Sequence, residues 1–224
     1  MITGPWWLND FVVDPENEQP PQEAFFQIEF SRANDIKLHL AASDFYQFWL
    51  NGRWMGCGPA RASHGRLTVD AWELSQEVLQ EKNTLSLQVF WEGVFTFDHI
   101  RGVPGLWFAL IGGDGELTSE ILVTEKTGRI ATKRFSHQRG WIEEIDGRQR
   151  AAGWPAARRE PSLWRKPVLR DKDPAVSLEE RDIKPFTRNS TRAERITFIG
   201  SGDLSKRSRH RGLFYEKRAG FEGA

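Results

Sequence analysis

Two groups of residues carry side chains suited to chemistry. The first is acidic: Glu143, Glu144 and Asp146 lie close together, beside Trp141 and Trp154. Inverting hydrolysis of a glycosidic bond needs two carboxyl groups facing each other, roughly 6.5–9.5 Å apart. Adjacent acids on exposed β structure are usually solvated, which is the reading their spacing favours here. The second group is the stretch Trp91-Glu92-Gly93-Val94-Phe95-Thr96-Phe97-Asp98-His99-Ile100-Arg101. An aromatic face stacks on the C–H face of a sugar, and Asp, His and Arg at its rim bind hydroxyls. Trp91, Phe95, Asp98, His99 and Arg101, with Trp107 beyond them, are therefore the sugar-binding candidates. The competing use of Trp91 and Phe95 is to close the core.

Other chemistry finds no support in the residue pattern. The five His are scattered at 39, 64, 99, 137 and 210 and Cys57 is the sole cysteine, so no metal-ligand spacing and no internal disulfide arise. Ser63-His64 lacks a third partner and a nucleophile elbow. Gly112-Gly113-Asp114-Gly115 sits between strand-like segments with no helix after it, so it reads as a turn and not a phosphate loop. No cofactor is implied.

These candidates must be held by β structure. Phe26, Ile28 and Phe30 alternate with polar residues, as do Ile36, Leu38 and Leu40, and again Leu85, Leu87 and Val89. Phe45–Leu50 and Arg53–Gly56 flank Asn51-Gly52, a type I′ hairpin signal, because both central residues of that turn need positive φ. Gly56, Gly58 and Pro59 end the second strand of that hairpin. Val69–Leu79 reads as a short helical turn or a crossing loop. Leu106–Ile111 and Leu117–Thr124 read as strands joined at Gly112–Gly115, and Ile130–Phe135 as one more. About seven short strands with frequent turns predict an all-β jelly roll or sandwich. Arg61 and Asp70 are expected to brace the turn through a charge-assisted bond.

The expected organisation is an extended, proline-interrupted lead-in over 1–22, a β-sandwich over 23–135, a partial second β domain of irregular structure over 136–186, and a poorly structured basic tail over 187–224. Charge follows this division. Residues 1–100 hold 6 Lys/Arg against 14 Asp/Glu, and the remainder 25 against 17. The chain as a whole is neutral, so it exerts no long-range attraction on nucleic acid. There is no basic start followed by an apolar stretch and no run of membrane-spanning length. Neither a nucleic-acid nor a membrane partner is expected, and the expected location is cytoplasmic.

The hairpin region also carries a resemblance. Asp44-Phe45-Tyr46-Gln47-Phe48-Trp49-Leu50-Asn51-Gly52, then Gly56-Cys57-Gly58-Pro59-Ala60-Arg61, resembles the N-terminal, galactose-binding-like β-sandwich of bacterial α-L-rhamnosidases. Val69-Asp70-Ala71-Trp72-Glu73-Leu74, Asn83–Val89 and Pro104-Gly105-Leu106-Trp107 are similar to the segments that follow in that family, in the same order. Glu144-Ile145-Asp146-Gly147-Arg148 with Gly153-Trp154 is similar to a run in its next accessory domain. The resemblance covers roughly residues 24–186 and implies a β-sandwich accessory region. That family places its catalytic acids in an (α/α) barrel, for which residues 187–224 have neither the length nor the amphipathic pattern. The resemblance thus implies no catalysis by this chain alone, as a truncated product, an isolated domain or a stand-alone relative. It implies instead a carbohydrate ligand, a docking role on a catalytic domain or partner protein, or, for a truncated enzyme, the rhamnosidase name without the activity.

Overall fold

The computed structural model describes residues 3–7, 21–63, 65–95, 100–113, 115–117, 120–136, 139–156, 161–169 and 176–185. The chain divides into two units, Met1–Phe186 and Thr187–Ala224. The second unit, and with it the basic tail, lies outside the described residues.

The strands run in order as β1 (Thr3–Trp7), β2 (Gln22–Ser31), β3 (Lys37–Ala42), β4 (Phe45–Leu50), β5 (Arg53–Gly58), β6 (Arg66–Glu73), β7 (Lys82–Trp91), β8 (Leu106–Gly112), β9 (Gly115–Glu116), β10 (Ile121–Thr124), β11 (Thr127–Ser136), β12 (Arg139–Arg150), β13 (Val168–Leu169) and β14 (Ser177–Glu180). A single 3-10 turn, Pro161–Leu163, is the helical exception among the described residues. The larger sheet has the order β13-β1-β8-β3-β6-β14, with β9 also paired to β8. The second sheet is β10-β2-β7-β4-β5, and β11 and β12 form a separate long hairpin. All pairings are antiparallel except β14 on β6, which is parallel.

Period-two alternation explains why these segments form strands and why they stack. Phe26, Ile28 and Phe30 of β2, Phe48 and Leu50 of β4, and Leu85, Leu87, Val89 and Trp91 of β7 form one wall of the core. Leu38 and Leu40 of β3 and Leu106, Phe108 and Leu110 of β8 form the opposite wall. Each such side chain contributes about 1.5–3 kcal/mol when fully buried. The fold is therefore an all-β sandwich, as the alternation predicts.

The Asn51-Gly52 turn adopts positive φ at both residues, +51° and +81°, as type I′ requires. Asn51 does more than tolerate that conformation. Its Nδ2 donates to Asn83 Oδ1 at 3.0 Å and to the Val78 carbonyl at 3.3 Å. Its Oδ1 accepts from the Thr84 N–H at 2.9 Å, so the turn is tied to the start of β7.

One expectation is corrected. Val69–Leu79 is not a helical turn or crossing loop at its start: residues 66–73 are strand β6, hydrogen-bonded to β3. Its inward positions hold Asp70 and Trp72, so the usual apolar-in signal is missing. The stretch 141–150, expected as irregular β structure, belongs to the twelve-residue strand β12, whose pairing with β11 carries register shifts. The hairpin of β11 and β12 spans residue 135, and β14 pairs with β6 of the larger sheet. In the lead-in, Thr3–Trp7 forms strand β1, with a register shift between Thr3 and Trp6 where Pro5 lacks an N–H for the ladder.

The outward face of the five-stranded sheet is partly covered. Trp154 stacks on Phe25 with ring centroids 3.9 Å apart and meets Trp49 edge-on at 5.7 Å. Trp164 and Ala151 complete this smaller cluster.

Candidate functional site

Strands β7 and β8 deliver the expected sugar-binding loop to one end of the sandwich, and the β3–β4 turn anchors it. The Ser43 N–H donates to the Gly105 carbonyl at 3.3 Å, and the Ser43 hydroxyl donates to the Val103 carbonyl. The Glu92 N–H donates to Asp44 Oδ2 at 2.6 Å. Trp91 Nε1 donates to the Gly102 carbonyl at 2.9 Å, pinning the loop's far side.

The candidate residues separate. Phe95 is 53% exposed, and the Arg101 guanidinium lies 5.1 Å from its ring centroid. Arg101 itself is buried at 8%, so a cation rests against an open aromatic ring. Trp91 and Trp107 correct the expectation, because neither offers a ring face to a ligand. Trp91 continues the inward alternation of Leu85, Leu87 and Val89 and is fully buried. Trp107 faces the opposite way from Leu106 and Phe108, yet β8 is central and is covered on both faces. There Trp107 packs with Ala41 and Val69. Asp98 and His99 lie outside the described residues. Phe45, 41% exposed, and the exposed Ile100 are apolar side chains next to the same anchored turn and loop.

The turn residues assemble a different structure from the one expected. Gly56 and Gly58 sit two apart on β5, opposite Phe48 and Tyr46 of β4. Both face β6 of the other sheet. A Cβ at Gly56 would lie 2.4 Å from the Trp72 ring, and one at Gly58 would lie 1.9 Å from Asp70 Oδ2. The glycines thus create the space for a buried polar cluster. The Tyr46 hydroxyl donates to Asp70 Oδ2 and accepts from Trp72 Nε1 at 2.9 Å. Burial, then the neighbouring Asp70 charge and the hydrogen bond to it, push the Tyr46 hydroxyl far above the ordinary tyrosine range.

A cationic partner of Asp70 is Arg181, whose Nη1 donates to Oδ1 at 2.8 Å. Arg61, the expected brace, is exposed, beyond the cis Gly58–Pro59 peptide. Sequence reasoning missed Arg181. It lies just past β14, and the parallel pairing of β14 with β6 is what carries it to Asp70. Its backbone N–H donates to the Val69 carbonyl at 3.0 Å.

The acidic group does not assemble an opposed pair among the described side chains. Glu144 is exposed. Arg148 binds both oxygens of Asp146, at 2.8 and 2.7 Å, and holds its carboxyl below the usual range. A carboxylate kept ionised in this way is a poor proton donor. The side chains of Trp141 and Glu143 lie outside the described part. Among the described residues no group of three or more His, Cys, Asp or Glu converges as a metal site. Nor is any helix there long and apolar enough to cross a membrane.

Sandwich, glycine-lined polar cluster and long hairpin together define an all-β module, and solved structures of α-L-rhamnosidases contain a region of similar fold. A GH78 family rhamnosidase of Bacillus sp. GL1 superposes with a TM-score of 0.67 at 24% identity, over 82% of this chain and 20% of that one. The α-L-rhamnosidase from Dictyoglumus thermophilum gives 0.54 at 16% identity, over 82% and 22%. That from Aspergillus terreus gives 0.51 at 16%, over 77% and 21%. The chain therefore resembles one region of these α-L-rhamnosidases and spans about a fifth of their length. No family model and no curated protein sequence matches it.

Proposed function

We propose that this chain is a non-catalytic, carbohydrate-associated module of the rhamnosidase type, with weak sugar binding at the anchored loop end of the sandwich. The observation that carries this reading is the exposed Phe95 ring backed by Arg101 on a loop that Ser43, Asp44 and Trp91 hold in place. A preformed aromatic platform loses little entropy on binding. The ion pair that occupies Asp146 supports a role without bond cleavage. Titration of L-rhamnose and of rhamnose-containing oligosaccharides, followed by Trp fluorescence, tests the reading. A saturable response that Phe95→Ala weakens is expected; no response up to tens of millimolar counts against it.

A second reading has its own support. Phe45, Phe95 and Ile100 are exposed apolar side chains around one anchored end, a composition suited to docking on a catalytic domain or partner protein. Phe45→Ser with Ile100→Ser distinguishes the two. Unchanged sugar response with lost association to a rhamnosidase barrel would favour docking.

A further inference from the structure

The outward face of the five-stranded sheet carries a second surface with the chemistry of a sugar platform. Register places Cys57, Gln47, Gln88 and Phe25 in one row across β5, β4, β7 and β2, and Trp54, Trp49, Ser86 and Gln27 in the next. The Trp154 segment covers the β2 side of these rows, where Pro155 O accepts from Ser86 Oγ at 2.6 Å. On the β4–β5 side, Gln47, Trp49, Trp54 and Gln88 remain half-buried.

Their side chains are already oriented. Trp54 Nε1 donates to Gln47 Oε1 at 3.3 Å, Gln47 Nε2 donates to Gln88 Oε1 at 3.0 Å, and Gln88 Nε2 donates to Glu23 Oε1. Each amide has two N–H donors and two lone pairs, so this relay uses half the capacity of Gln47 and of Gln88. What is left is one donor and one acceptor on each, fixed side by side and flanked by indole rings. The Glu23 carboxylate at the end of the relay is paired with Arg129 at 3.3 Å, so it presents no unpaired charge to the strip.

We propose that this amide and indole strip binds a neutral oligosaccharide. Paired donor and acceptor sites match vicinal hydroxyls, each of which is also a donor and an acceptor. The indoles of Trp49 and Trp54 offer apolar surface to the C–H face of a sugar ring. The relay of Trp54, Gln47 and Gln88 holds no cation, so it offers acidic glycans and phosphates no charge-assisted bond. Gln47 and Trp49 lie two residues apart on β4, about 7 Å, and β5 to β7 spans about 10 Å, which accommodates at least one sugar ring. The proposal rests on the reading of the chain as a carbohydrate module, but it uses a face separate from the Phe95 loop.

The test is a titration of the isotope-labelled full chain with a neutral rhamnose trisaccharide, read by the side-chain NH2 resonances of Gln47 and Gln88 and the indole N–H of Trp54. These signals are expected to shift together and saturate. Trp54→Ala should weaken the binding they report by about tenfold, while Phe95→Ala leaves it unchanged. Trp54→Phe, which keeps an aromatic ring on the strand, guards against loss of fold and should retain most of the affinity. If these resonances stay still while those of the Phe95 loop move, the strip proposal fails and the module reading stands. If no resonance moves, both fail. Tighter binding of a galacturonate trisaccharide would overturn the neutral-ligand assignment.

Discussion

Arg181 lies against the fully buried carboxylate of Asp70, although 111 positions separate the two in the chain. The pair closes the cluster of Tyr46, Trp72, Gly56 and Gly58 and locks β14 onto β6. Removing one partner leaves an uncompensated buried charge, which costs about 3–5 kcal/mol. Arg181→Ala should therefore lower the denaturation midpoint sharply. Asp70→Asn combined with Arg181→Met should recover part of that loss. A silent Arg181→Ala in chemical denaturation would remove Arg181 from this role.

The two glycines of β5 make a related prediction. Gly56→Ala drives a methyl into the Trp72 ring, and Gly58→Ala drives one into Asp70 and Tyr46. Overpacking of this kind costs about 1–3 kcal/mol. Gly58→Ala should be the more damaging, because it displaces a paired carboxylate as well as occupying space. Thermal unfolding of both variants checks the order.

Tyr46 predicts a direction with pH. A tyrosine in the unfolded chain ionises near pH 10, whereas burial and Asp70 keep the folded Tyr46 hydroxyl protonated well above that. The stability this group contributes is thus complete below about pH 10 and is lost as the pH rises further, at up to about 1.4 kcal/mol per pH unit. Tyr46→Phe should be less stable at neutral pH, since Trp72 and Asp70 lose a partner. It should also fall less steeply above pH 10. Urea denaturation at a series of alkaline pH values measures both effects.

Asn51 separates two roles of one residue. Asn51→Gly keeps the positive φ that the turn needs but removes three side-chain hydrogen bonds. A loss of about 1–3 kcal/mol is expected, from the Val78 carbonyl and the Thr84 N–H left without their Asn51 partner. A neutral substitution, measured by urea denaturation, would mean that φ alone explains the residue.

Much of the sandwich was legible because its core strands follow one rule. Phe26, Ile28 and Phe30, and Leu85, Leu87 and Val89, alternate as half-buried strands must, and Asn51-Gly52 announces the turn between β4 and β5. Strand β6 was hidden because Asp70 occupies an inward position, and a buried acid looks polar until its partners are known. Those partners come from β4 and from the residue after β14, so no local window contains them. Residue type also says little about exposure. Phe95 and Trp91 look equivalent as aromatic candidates, but strand phase sends Trp91 into the core and loop position leaves Phe95 open. Gln47 and Gln88 read as ordinary outward polar residues, and only the pairing of β4 with β7 joins them.

Sugar binding without bond cleavage is the proposed role of the chain. Incubating the purified chain with an aryl α-L-rhamnoside, while following released aglycone and ligand-induced Trp fluorescence in the same sample, tests this most directly. A saturable fluorescence change with no release above the uncatalysed background is expected. Release that Glu144→Gln abolishes would contradict it.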